Sequence, residues 1–216
     1  MIEEKGQGAG KAPQLTRQGS IRRTSLLDAA EAVLVAKGNA DASLRAIAGE
    51  AGVRVGHLQH YFPTRADLIK AVLERALDRS LERLADTTGL RITRDDPSAI
   101  ETHEGPANPA DVVAVVLAEQ EDPQLVRLYV EVWALAARDD DIAAVVREFY
   151  RKYVTHVETF VQQGRPDWSG EFCRARAETF VALVEGAALM RSGIAGSRST
   201  AMDAQLAEHA VQLLRE

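Results

Sequence analysis

Apolar residues recur three and four positions apart along almost the whole chain, and no segment alternates apolar and polar residues in steps of two. The first pattern marks amphipathic helices; the second would mark half-buried strands. The chain is therefore predicted to be all-α, with about nine helices. The first covers about 21–37, with Leu26, Leu27, Ala30, Val33 and Leu34 on one face and Gly38 as its C-terminal stop. Residues 39–42 form a turn, and Ser43 caps a short second helix that runs through residue 51 and ends at Gly52. A third short helix over 55–61 closes before Pro63, because the residue ahead of a proline avoids helical geometry. Thr64 followed by Asp67 is a capping box for a long fourth helix to about residue 85, its buried stripe running from Leu68 to Leu84.

Residues 86–105 are polar, contain Pro97 and lose the periodicity, which predicts a loop or a partly ordered insertion. Regular pattern then resumes. Asn108 with Pro109, and Asp122 with Pro123, each place a capping side chain ahead of a proline at the first helical position. Helices are expected near 109–119, 123–138, 141–163, 169–191 and 200–216. The boundaries divide the chain into a disordered arm at 1–19, a small head at 20–67 and a helical body at 68–216.

Composition matters mainly for what it excludes. The longest apolar runs, such as 112–118, fall far short of the roughly 20 residues of a membrane span, and the first nineteen residues lack the apolar core of an export signal. A cytoplasmic location with no membrane partner follows as the expectation. The single Cys173 has no cysteine to pair with and reads as a buried thiol. His57 and His60 stand three apart but lack a third ligand, so no metal is expected; nor is a cofactor. With no nucleophile constellation, phosphate loop or catalytic carboxylate pair, the chain is not expected to be an enzyme.

The net charge of −6 is unevenly spread. Residues 5–65 hold nine Lys/Arg against four Asp/Glu, whereas everything after residue 68 holds seventeen against twenty-five. A basic head on an acidic body suits a protein that meets phosphates with one end only.

That head contains a short helix, a turn with Gly52 and a second short helix, the arrangement that lays its second helix into a DNA major groove. Arg54, Val55, His57, Gln59 and His60 are predicted to face the groove, with Leu58 and Phe62 packed inward. Arginine can bond guanine, and glutamine adenine, through two hydrogen bonds each. Ser43, Arg45, Tyr61 and Arg65 are placed for phosphate contacts, and Arg17, Arg22 and Arg23 for sequence-independent attraction. In the body, Tyr129, Trp133, Phe149, Tyr153, His156 and Phe180 lie at helical spacing on successive helices. They read either as the lining of a ligand pocket or as plain core.

More than geometry is legible in the head. Leu27, Asp28, Ala29 and Ala30, then Gly38, the run from Ser43 to Val53, Gly56-His57-Leu58, and His60-Tyr61-Phe62-Pro63-Thr64-Arg65 with Leu68 together resemble the DNA-binding domain of the tetracycline-repressor (TetR) family. The resemblance covers about residues 22–68. It implies a transcriptional regulator, more often a repressor, that binds a double-stranded palindromic operator as a homodimer through its last two helices. It also implies release by a small-molecule effector held in a cavity of the body; the alternatives are a ligand-independent DNA-binding dimer and, behind it, a non-catalytic small-molecule-binding helical protein. Three positions depart from the family pattern: Arg54 stands where Ser or Thr commonly caps the reader helix, Asn39 replaces a usual aromatic and Gln59 a frequent tyrosine. The operator is therefore this chain's own.

Overall fold

The computed structural model describes residues 16–92, 100–102 and 108–215. Nine helices are present among them: α1 (Arg17–Asp41), α2 (Leu44–Glu50), α3 (Val55–Tyr61), α4 (Arg65–Thr88), α5 (Pro109–Glu119), α6 (Pro123–Ala136), α7 (Asp140–Gly164), α8 (Gly170–Arg191) and α9 (Thr200–Arg215). The fold is all-α apart from one small feature. Leu90–Ile92 (β1) pairs antiparallel with Ile100–Thr102 (β2), within the stretch expected to be a loop. Three residues per strand are too few to show an alternating pattern, and the pairing rests on backbone groups that any sequence supplies.

The helix starts lie where short polar side chains reach the first free N–H groups. Ser43 Oγ accepts from the Ala46 N–H at 3.2 Å, Asn108 Oδ1 from Ala110 at 3.1 Å and Asp122 Oδ1 from Gln124 at 2.8 Å. Thr64 and Asp67 cap each other reciprocally, with N–H to oxygen distances of 3.0 and 3.1 Å. Arg54 contributes no such side-chain bond to α3. α1 begins at Arg17, four residues ahead of the expected start, because Thr16 Oγ1 accepts from the Gly19 N–H. Its regular part does stop at Gly38, whose φ of 72° only glycine adopts without strain, and one more helical turn follows to Asp41. Gly52, with φ of 65°, turns α2 into α3.

Two hydrophobic clusters form the core. The first joins the α1–α3 head to the start of α4, through Leu26, Leu34, Ile47, Leu58, Phe62 and Leu68, and takes in Leu128 and Val132 of α6 and Ile142 of α7. The second lies in the body, where Leu77, Val112, Phe149, Val157, Phe180 and Leu214 meet. The head is thus no separate bead on a tether: α4 passes through both clusters, and α6 packs against α1. Cys173 is fully buried in the second cluster. No helix among the described residues is long and apolar enough to cross a membrane.

Candidate nucleic-acid interface and effector cavity

On α3 the inward positions are Leu58 and, just past the helix, Phe62, which are 0% and 3% exposed. Arg54, His57, Gln59 and His60 are exposed on the outer side, and Val55 is half-buried. Tyr61, also half-buried, has its ring edge-on to both His57 and His60, with centroids 5.6 and 5.4 Å away. Arg22, Arg45 and Arg54 are exposed and enter no ion pair among the described residues, so their charge is left for an outside anion. The Arg23 guanidinium lies 5.0 Å from the centroid of the Phe62 ring, beside the reader helix. Arg17 is exposed in the first turn of α1.

Two phosphate candidates are already engaged. Ser43 Oγ accepts the helix-capping bond, which leaves its own proton for another acceptor. Arg65 is half-buried: its Nε donates to the Ala42 carbonyl at 2.8 Å, and Nη2 donates to the Asn39 carbonyl and side-chain oxygen. It clamps the α1–α2 turn to the start of α4. The oxygens that attract it belong to residues more than twenty positions away, which no local pattern reveals.

The head is held to the body at two places. Arg75 of α4 pairs with Asp28 and Glu31 of α1, each at 2.7 Å, and Arg79 pairs with Glu31 at 2.7 Å. On the opposite side, the Glu131 carboxylate of α6 accepts from the Asn39 N–H at 3.1 Å, against Gly38. Glu131 sits between two residues, Tyr129 and Trp133, that point the other way.

Those two residues face a cavity of about 70 Å³ that is partly open to solvent. Tyr129, Trp133, Phe149 and Tyr153, all expected in a pocket, line it. The other two of the six do not. Phe180 is completely buried in the second cluster, and His156 faces α4. In both cases periodicity marks a side chain as inward without saying whether it meets the cavity or a neighbouring helix.

His156 is nonetheless informative. Thr88 Oγ1 lies 2.8 Å from the Leu84 carbonyl, accepts from the Leu90 N–H and bonds His156 Nε2 at 2.6 Å. Thr88 Oγ1 and His156 Nε2 thus share one proton-bearing contact in a buried network that ties α7 to the end of α4. Burial holds the imidazole neutral by pulling its pKa down to about 4.

Sequence reading missed the polar part of the cavity. Ser80 of α4 bonds the Tyr129 hydroxyl at 2.7 Å and accepts from Arg83 Nη2 at 2.9 Å, while Arg83 also pairs with Glu119 of α5. Burial pushes the Tyr129 hydroxyl up to about 12. Glu185 of α8 also lines the cavity, and burial raises its carboxyl to about 7 against a smaller lowering by the Tyr150 hydroxyl. Glu185 is half-buried, four residues after the buried Val181 and next to the buried Val184, at the edge of the inward stripe of α8.

The two groups act on stability in opposite directions. Below pH 6.5 the unfolded chain protonates His156 while the folded chain resists until about pH 4, so this share of stability is lost as pH falls. Folded Glu185 keeps its proton up to about pH 7 while the unfolded carboxyl releases it near 4.5, so that share falls as pH rises. With Glu185→Gln, the opposing carboxyl effect is removed. Urea denaturation of this variant is expected to show about 2 kcal/mol less stability at pH 4.5 than at pH 7, a loss that the double variant with His156→Gln lacks. Equal pH profiles for the two variants would contradict the assignment.

The head and body each match a family model. Residues 26–72 match that of the bacterial regulatory proteins of the tetR family, and residues 110–215 match the C-terminal domain of BetI-type transcriptional repressors. The chain belongs to the TetR family of transcriptional regulators. Among curated TetR-type relatives, an uncharacterized helix-turn-helix transcriptional regulator in the dhlA 5′ region of Xanthobacter autotrophicus is 22% identical over 140 residues. That similarity spans 64% of this chain and 65% of the relative. In fold, a transcriptional regulator from Pseudomonas aeruginosa superposes with a TM-score of 0.71 at 21% identity, over 89% of each chain. A TetR-family regulator from Mesorhizobium loti also reaches 0.71, at 18% identity, over 93% of this chain and 96% of its own. This TetR-family regulator carries its helix-turn-helix DNA-binding domain at α2 and α3.

Proposed function

We propose that this regulator is a homodimeric repressor that binds a palindromic operator and is released when a small organic effector enters the body cavity. The observation that carries this reading is that α4 and α6 each touch both ends of the molecule. α4 begins under the reader helix, pairs with α1 through Arg75 and Arg79, and lines the cavity with Ser80, Leu81 and Leu84. α6 presents Tyr129 and Trp133 to the cavity and Glu131 to the α1–α2 turn. A ligand that displaces either helix changes the placement of α3. Coupling of about 1–3 kcal/mol would alter operator affinity roughly 5- to 150-fold.

Dimerisation is supported by apolar side chains left uncovered along α8 and after it: Phe172, Leu189, Met190 and Ile194 are 36–56% exposed. Gly186 is exposed on the same helix and a Cβ there would meet nothing within 4 Å, which suits close approach by a second copy. Two-fold symmetry then sets two reader helices on half-sites about one helical turn apart, or somewhat more. A dimer seated on an operator represses by obstructing polymerase. The cavity favours effector control over a ligand-independent dimer, whose body would be solid.

The test is a selection of bound sequences from random duplex DNA, paired with sedimentation at micromolar protein. A two-fold symmetric site and a dimer are expected. A monomer, or recovery of sequences with no common site, would overturn the reading.

A further inference from the structure

On α6, Tyr129 and Trp133 stand one helical turn apart, and Glu131 lies between them, about 200° around the helix axis from each. Two hydrogen bonds hold the cavity side of α6. The Tyr129 hydroxyl bonds Ser80 of α4 at 2.7 Å, and the Trp133 indole N–H donates to the Tyr150 hydroxyl of α7 at 2.9 Å. One bond holds the head side: the half-buried Glu131 carboxylate accepts the Asn39 N–H at 3.1 Å, and no cation pairs with it among the described residues. Gly38 leaves room for this approach, since a Cβ there would lie 3.1 Å from Glu131 Oε1 and crowd the carboxylate. Asn39 carries the contact onward, because its carbonyl and side-chain oxygens accept from Arg65 at the start of α4, just past the reader helix. The other ties between head and body do not fix α6. Leu128 and Val132 meet the head through apolar contact, which is non-directional. Arg75 and Arg79, which share Glu31, join α4 to α1 and leave α6 out.

We infer that Glu131 is the positioning residue through which the state of the cavity reaches the reader helix, by way of Asn39 and Arg65. This rests on the effector reading above and names the bond that exerts its control. A ligand that takes the Tyr129 hydroxyl or the Trp133 indole N–H from its partner frees the cavity side of α6 to shift. Glu131 then moves Asn39, and Arg65 passes the displacement to the junction of α3 and α4. A hydrogen bond suits this task because it is directional and weakens steeply when misaligned. A carboxylate acceptor also makes it stronger than a bond between neutral groups. Coupling between two sites is reciprocal, so operator binding must act back on the cavity side of α6 through the same bond. The link is therefore measurable without the effector.

Trp133 is a reporter already in place on α6. The chain's other tryptophan, Trp168, stands between α7 and α8 against Phe172 and Arg165, so Trp168→Phe in the full-length protein leaves Trp133 as the single emitter. Its fluorescence is measured with and without the selected operator duplex at saturation, so that differences in affinity do not enter. Operator is expected to shift the Trp133 emission in this background. The shift should persist in Glu131→Gln, whose amide oxygen still reaches the Asn39 N–H, and should be lost in Glu131→Asp, which keeps the charge but is one methylene shorter. A role of Glu131 in charge balance or general stability would not give that order. A shift that survives in Glu131→Asp, or is absent from Glu131→Gln, overturns the inference alone. No shift in the Trp168→Phe protein itself overturns it together with the cavity-to-head coupling on which the effector reading depends.

Discussion

Replacing Arg54 and Gln59 together by alanine is expected to lower affinity for the selected operator by about 30-fold or more, with no change in folding. Each side chain can make a two-bond contact to a base edge, worth about 1–3 kcal/mol of discrimination. Both are exposed at the start and on the outer side of α3, and neither is tied to another described residue. Because they carry no packing, urea denaturation of the variant should match the parent within about 0.5 kcal/mol. The effect should also be selective. Fluorescence anisotropy is expected to show the loss on the operator and little loss on an unrelated duplex. Arg45→Ala should instead weaken both duplexes alike and flatten the salt dependence, as loss of a phosphate contact does. If the double variant keeps both affinity and preference, α3 does not read the bases through these residues.

Phe180→Ala is expected to cost about 3–5 kcal/mol of stability, the usual penalty for emptying a fully buried aromatic site. Phe180 is 0% exposed and shares its cluster with the fully buried Cys173, Ala177 and Val161, so few neighbours are free to collapse into the space. Urea denaturation measures this directly. The substitution also separates two readings of one residue. A side chain lining an effector cavity already faces empty space, and its truncation costs less; a loss below about 1 kcal/mol would return Phe180 to the cavity wall.

The division between what was legible and what was not follows the range of the interactions. Ser43, Thr64 with Asp67, Asn108 and Asp122 satisfy N–H groups two or three residues away, so each helix start could be read locally. Leu58 and Phe62 are four apart on the inward side of α3, which leaves Arg54, His57, Gln59 and His60 outward by elimination. Glu185 was not legible, because it stands at the edge of the buried stripe of α8, where an acid is ordinary. The clamp made by Arg65 was not legible, and His156 and Phe180 were misread, because their partners come from other helices.

By itself, then, the sequence determined the helical fold, the caps that begin its helices, the glycine turn and the exposed face of the reader helix, all of which arise within one or two helical turns. Tertiary structure alone decided that Arg65 clamps the α1–α2 turn, that α6 joins the cavity to the head through Glu131, and which aromatics face empty space. Those outcomes depend on how broadly apolar helices rotate against one another, and that rotation is set by the summed packing of the two clusters, not by any local pattern.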